Sequence, residues 1–229
     1  MREDICTIPI SEVFEINDGC PICRMYETVN ERIISYIMSD AMMEPDVRIE
    51  TNKVGFCKEH LEEMYLRRGR LQLALMLETH IKQLNKDVFQ RNFLISNNKK
   101  AEKIKRVSDA CFICDKVEWG FSRMIDTIYR TYENEWDFRN MFNSQPMFCL
   151  PHYEMLMAGV DKKQMRNHYK DFADNLTRIT SAHMDKISAE ISSYCANYNY
   201  CNTSGEANWD ECKKAVEKSI AFLSGGKVE

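Results

Sequence analysis

The sequence predicts an all-α fold, built as two helical repeats and a C-terminal helix. Three observations predict it. Apolar residues recur at helical spacing, as in Ile113, Val117, Phe121, Met124, Ile128 and Tyr132. No useful length of chain alternates at period two, the mark of a half-buried strand. One pattern of cysteines and histidines is also written twice. The first copy is Cys20-Pro21-Ile22-Cys23, then Phe56-Cys57-Lys58-Glu59-His60. The second is Cys111-Phe112-Ile113-Cys114, then Phe148-Cys149-Leu150-Pro151-His152. The copies are offset by 91 residues at the first cysteine and by 92 at the histidine, so one residue of slip separates them.

In chain order, Ile5–Ile10 reads as an extended lead, and Ser11 as the N-cap of a helical turn. Asp18-Gly19 turns the chain into the first cysteine pair. Ile22, Tyr26, Val29, Ile33 and Ile37 then form a helical stripe, with Pro21 suited to its first turn. Cys20 and Cys23 fall at that helix N-terminus, where free N–H groups favour thiolates. Glu44–Lys53 reads as a polar connection. His60 opens a short helix, and 71–95 is a long helix with Ala74, Leu77, Ile81, Leu84 and Val88 on one face. Ser96–Arg106 is the linker between copies, its charge run read as a solvated helix start. In the second copy Glu133–Met147 is the connection and His152 opens a short helix. A long helix over 161–194 carries Met165, Tyr169, Phe172, Leu176, Ile179, His183, Ile187 and Ile191. His183 reads as a satisfied histidine at the core edge. Residues 195–207 form a loop, and Asn208 to Glu211 is a capping box opening the last helix, which ends at Gly225-Gly226. The expected division is 1–96, 97–194 and 195–229, with the two long helices joining the halves.

Three thiolates and one imidazole make a tetrahedral set for a borderline metal, and Cys3His is a standard structural zinc set. Taken within each copy, Cys20, Cys23, Cys57 and His60 hold one ion. Cys111, Cys114, Cys149 and His152 hold the other. Protein fills all four positions, which argues for a structural ion rather than a catalytic one. An iron–sulfur cluster is the alternative occupant. Such a zinc site contributes on the order of 10–16 kcal/mol, against a net domain stability of about 5–15 kcal/mol. Each site could therefore decide whether its part of the chain folds.

The chain has 229 residues, 44% hydrophobic and 29% charged, which suits a soluble globular protein. It has no apolar run long enough to span a membrane and opens without a signal peptide, so a cytoplasmic setting is expected. There, patterned cysteines are metal ligands before they are disulfides. Of the ten cysteines, Cys6, Cys195, Cys201 and Cys212 lie outside the pattern and read as free thiols. A formal charge of −4 argues against general nucleic-acid binding.

Cys20-Pro-Ile-Cys23, Pro45-Asp-Val-Arg-Ile-Glu-Thr-Asn52, Gly55-Phe-Cys57 and Leu75-Met-Leu-Glu-Thr-His80 resemble an uncharacterised bacterial family, a domain of unknown function met often in anaerobes. The resemblance covers nearly the whole chain, including the second cysteine–histidine set and the Trp209 helix. It implies no known activity. It draws attention to Arg48–Asn52 and to His80, whose position in the other copy is taken by Phe172, and it keeps the iron–sulfur option open.

There is no phosphate loop, nucleophile elbow or dinucleotide fingerprint. The leading expectation is a non-enzymatic, zinc-stabilised interaction or adaptor protein with a protein partner. Against it stand an iron–sulfur or thiol-based redox sensor, a nucleic-acid-binding module using Lys99–Arg106, and an enzyme using Arg48, Glu50 and His80 in a pocket. Oligomeric state is not encoded in any feature of the sequence.

Overall fold

Proline at the second position of Ile8–Glu15 (α1) starts this helix earlier than expected, because the missing N–H is one a helix start leaves unpaired anyway. Ser11 is therefore not a cap: it is a buried residue inside α1. The computed structural model describes residues 8–90, 97–161, 165–197 and 209–226. The expected extended lead over 5–7, Cys6, Cys201, the side chain of Cys212 and the capping box at 208–211 lie outside what is described.

The helices that follow are Pro21–Ile37 (α2), Pro45–Val54 (α3), Lys58–Leu66 (α4), Arg70–Asn85 (α5), Asn97–Ser108 (α6), Phe112–Asn134 (α7), Trp136–Asn143 (α8), Leu150–Gly159 (α9), Tyr169–Asn197 (α10) and Trp209–Ser224 (α11). A 3-10 turn covers Asp40–Met43 and a π-turn Lys86–Gln90. Among the described residues there is no strand, and no helix is long and apolar enough to cross a membrane. Both expected connections are helices. Pro45 sets the first turn of α3, and α8 buries Phe138 and Phe142. The expected linker is α6, and the helical part of the expected 195–207 loop is the end of α10.

The chain divides into two units, Glu27–Phe121, and Met1–Tyr26 with Ser122–Glu229. The first is thus an insertion within the second along the chain.

In the inserted unit, Ile34, Ile37, Met38, Met42, Met64, Leu73, Met76, Phe112, Ile113 and Val117 make one core. The buried face of α5 is Leu73 and Met76, whereas Ala74 and Ile81 of the expected stripe are exposed. Packing against α3 decides the face. Arg48 Nη2 donates to Leu75 O at 2.7 Å, Thr79 Oγ1 donates to Asn52 Oδ1 at 2.7 Å, and His80 Nδ1 donates to Asn52 O at 3.0 Å. Gly55 closes α3 at φ 78°, and a Cβ there would lie 2.9 Å from the His80 ring. Only glycine serves at that position.

The other unit has an aromatic centre. Phe142 lies 4.8 Å from Phe148, 5.0 Å from Phe172 and 5.1 Å from Tyr132, centroid to centroid. Offset and edge contacts of this kind add about 0.5–1.5 kcal/mol each beyond burial. Gln145 Nε2 donates to Phe14 O at 2.6 Å, tying α1 to the stretch before Cys149. The long helix α10 begins at Tyr169 rather than near 161, and packs on α8, α9 and α11. Of its expected stripe, Met165, Phe172, Leu176, Ile179 and Ile187 are buried. Each long helix therefore packs inside its own unit.

Candidate metal centres

All eight expected donors converge, but not in the expected sets. Cys20, Cys23, Cys149 and His152 form one cluster, and Cys57, His60, Cys111 and Cys114 the other, each with all donor atoms within 4.8 Å of one another. The Cys-x-x-Cys of each copy meets the Cys-x-x-His of the other copy. The pairs are nested: the inner set, 57/60 with 111/114, lies in the inserted unit, and the outer set, 20/23 with 149/152, in the enclosing one. Within-copy pairing is thereby overturned, although every donor is used.

Local geometry explains why these spacings work. Cys57 and Cys149 sit at the N-caps of α4 and α9 with extended backbone, and their histidines fall at the third helical position. Cys20 and Cys111 immediately precede α2 and α7, and their carbonyls accept from Arg24 N and Asp115 N. Cys23 and Cys114 are then third-position residues. N-cap and third-position side chains face each other, as they do in a capping box. Here the pair meets a second such pair: neither the Cys57 nor the Cys149 side chain makes a cap hydrogen bond, while Cys111 Sγ also accepts from Cys114 N at 3.5 Å. Each cluster therefore joins two helix N-termini, whose positive ends favour thiolates.

Distances repeat between the sites. Cys57 Sγ to His60 Nδ1 and Cys149 Sγ to His152 Nδ1 are both 3.1 Å. His60 Nδ1 lies 3.3 Å from both Cys111 Sγ and Cys114 Sγ, and His152 Nδ1 lies 3.3 Å from Cys23 Sγ and 3.6 Å from Cys20 Sγ. Sulfur pairs are 3.9 Å apart in the inner site (Cys57, Cys114) and 3.6 Å apart in the outer one (Cys23, Cys149). The amide of Phe112 donates to Gly55 O at 2.9 Å, which brings the start of α7 beside Cys57.

The two histidines differ electrostatically: burial lowers the pKa of His60. Burial opposes a charge on His152, but the sulfurs of Cys149, Cys20 and Cys23 outweigh it and its pKa is pushed up to about 12. Lost hydration, then crowding by Cys111 and Cys57, pushes Cys114 up to about 12. Four donors this close call for positive charge among them; protons supply it when no cation does, and a divalent ion would displace them. Either cluster could hold a metal ion.

A residue that sequence reasoning missed orients the inner histidine. His60 Nε2 donates to Asn30 Oδ1 at 2.9 Å, which leaves Nδ1 facing the sulfurs. Asn30 Nδ2 donates to Glu63 at 3.0 Å, Arg67 donates to Glu63 at 2.7 Å, and Arg67 also pairs with Glu31. Asn30 reads as one more polar residue on a helix; only the tautomer that His60 needs would have pointed to it.

The other watched residues have structural partners. Arg48 and His80 bind the α3–α5 backbone as described, and Glu50 pairs with Lys116 on α7 at 3.1 Å. These three do not form a shared constellation. His183 is not the satisfied histidine expected: its ring packs 5.4 Å from Phe222, but its buried Nε2 has no hydrogen-bond partner. Cys195 is an exposed free thiol.

No curated protein and no solved structure matches the chain. One family matches along the full length, an uncharacterised one as the resemblance implied. Residues 1–229 belong to the family described as a family of unknown function (DUF6062).

Proposed function

We propose that the chain is a zinc protein with two structural Cys3His ions, acting in the cytoplasm as a non-enzymatic interaction or adaptor protein. The observation that carries the metal reading is the donor spacing. With zinc–sulfur bonds of about 2.3 Å, a tetrahedral site has sulfur–sulfur edges of about 3.8 Å. The 3.6 and 3.9 Å pairs fit one ion. A multi-iron cluster needs its cysteines farther apart, so the spacing favours a single ion over a cluster. Histidine with three thiolates suits zinc among single ions. The four protein donors leave no position for a reacting water, and Arg48, Glu50 and His80 serve α3 and its neighbours. Both points favour a scaffold over an enzyme.

The test is elemental analysis with an absorbance spectrum on protein purified without oxygen. Two zinc per chain and no visible bands are expected. Iron with sulfide, or no metal in a folded chain, refutes the zinc reading. The adaptor role is tested by binding a protein partner to the zinc-loaded chain; loss of that binding after chelation is expected, and turnover of a small molecule would overturn it.

A further inference from the structure

The two sites differ in what covers them. At the outer site, the turn after α11 lies on the sulfurs. Gly226 N–H donates to Cys23 Sγ at 3.2 Å. A Cβ on Gly225 would touch Cys149 Sγ at 3.6 Å and Cys23 Sγ at 3.8 Å. Both glycines have positive φ, 76° and 78°, so the chain makes two left-handed steps in succession to reach this position. The turn is anchored: Ala215 and Phe222 of α11 are buried, Lys218 pairs with Glu190 of α10 at 2.9 Å, and α11 packs on α9, the helix that carries Cys149 and His152. Cys20 and Cys149 are buried. At the inner site Cys114 is exposed and Cys57 half-buried, so the Cys57–Cys114 edge faces solvent.

We propose that the inner site is an exchange site, which passes its ion to soft thiolate ligands arriving at Cys114, while the Gly225-Gly226 turn locks the outer ion in place. Exchange is a ligand substitution with no redox change. An incoming thiolate bonds to the ion as the Cys114–ion bond breaks, and the released Cys114 thiolate takes a proton from water. Exposure of one edge lets the incoming ligand bind before the last protein donor leaves. At the outer site the glycine turn occupies that approach, and its N–H engages Cys23 Sγ from outside the ligand set. The proposal rests on the zinc reading.

The experiment uses the full zinc-loaded chain without oxygen. Its zinc content is measured first, then its release to the chromogenic chelator 4-(2-pyridylazo)resorcinol is followed. Two ions with release in two equal phases are expected. The phases should differ by about 10- to 100-fold, the usual effect of a partner outside the ligand set. Among the six ligand cysteines, iodoacetamide labelling read by mass spectrometry should find Cys114 first and Cys20 and Cys149 last. A chain stopped at Ser224 should release its slow ion about 10- to 100-fold faster, with the fast phase unchanged and Cys23 newly reactive. One common rate, Cys23 labelled ahead of Cys114, or a slow phase indifferent to the truncation would overturn the exchange proposal while leaving two structural zinc ions. Fewer than two zinc after loading would instead sink the zinc reading, and exchange with it.

Discussion

Asn30→Ala removes the acceptor that orients His60, and its effect can be worked from the contacts. His60 is only 7% exposed, so its Nε2–H has little water to turn to. A buried donor left unsatisfied costs about 1–3 kcal/mol. Loss of a histidine's outer partner typically weakens metal binding about 10- to 100-fold, which is about 1.4–2.7 kcal/mol and agrees with that range. Glu63 also loses the Asn30 amide but keeps Arg67, so little further cost is expected there. The assay is competition for zinc against a chelator of known affinity. One site should weaken by that factor, and the other should hold its affinity, because Asn30 bonds His60 of the inner set. Inner-site affinity within about twofold of the parent, well below that expectation, would refute the orienting role. An equal loss at both sites would point to general unfolding instead.

Nested ligation makes a sharper prediction about cysteine substitution. Cys149→Ser should speed the alkylation of Cys20 and Cys23 and leave Cys111 and Cys114 at their parent rates, whereas within-copy pairing demands the reverse. Tyr129 Oη donates to Leu156 O at 3.1 Å, and a Cβ on Gly159 would lie 2.8 Å from that hydroxyl. Gly159→Ala should therefore destabilise by about 1–3 kcal/mol, and adding Tyr129→Phe should recover part of the loss in urea unfolding; no recovery would place the strain elsewhere. Burial, then Lys186, lowers the pKa of His183. Below the ordinary imidazole value of about 6.5 the unfolded chain then binds more protons than the folded one, so this contribution is full above that pH and is lost as pH falls through it. His183→Leu should make the urea midpoint less sensitive to acid than that of the parent. Equal acid sensitivity in the two would show that His183 is not the group responsible.

Helix content was legible because burial on one face leaves a period in the sequence. It read well along α7, where each residue of the expected stripe from Ile113 to Tyr132 turns inward wholly or in part. The period misled in α5, where two partners compete for the helix and the residues that meet α3 are polar: Thr79 and His80. Helices α3 and α8 were hidden for related reasons. Buried contact in α3 comes from Thr51 rather than an apolar row, and α8 is too short to establish a period. All eight donors were legible from residue type and spacing. Their pairing was not, because two copies with the same letters satisfy either arrangement equally. What decides it is tertiary: the Phe112 amide reaches Gly55 O, and Gln145 reaches Phe14 O. The Gly225-Gly226 pair was read as a helix stop, which it is. Its contact with Cys23, 203 residues away, has no local signature.

Nesting also dictates an order of completion during synthesis. The inner donors span 51 residues from His60 to Cys111, and the outer ones 126 from Cys23 to Cys149. Loop closure alone separates these by under about 1 kcal/mol, too little to rank them. The ribosome ranks them instead. Cys114 is made 38 residues before His152, a delay of roughly 2–8 s at about 5–20 residues per second. For that interval the nascent chain carries a complete inner set while Cys20 and Cys23 wait, unpaired, for partners not yet translated. Those two thiols wait longest for their partners, and the Gly225-Gly226 turn that meets Cys23 in the finished protein is translated later still.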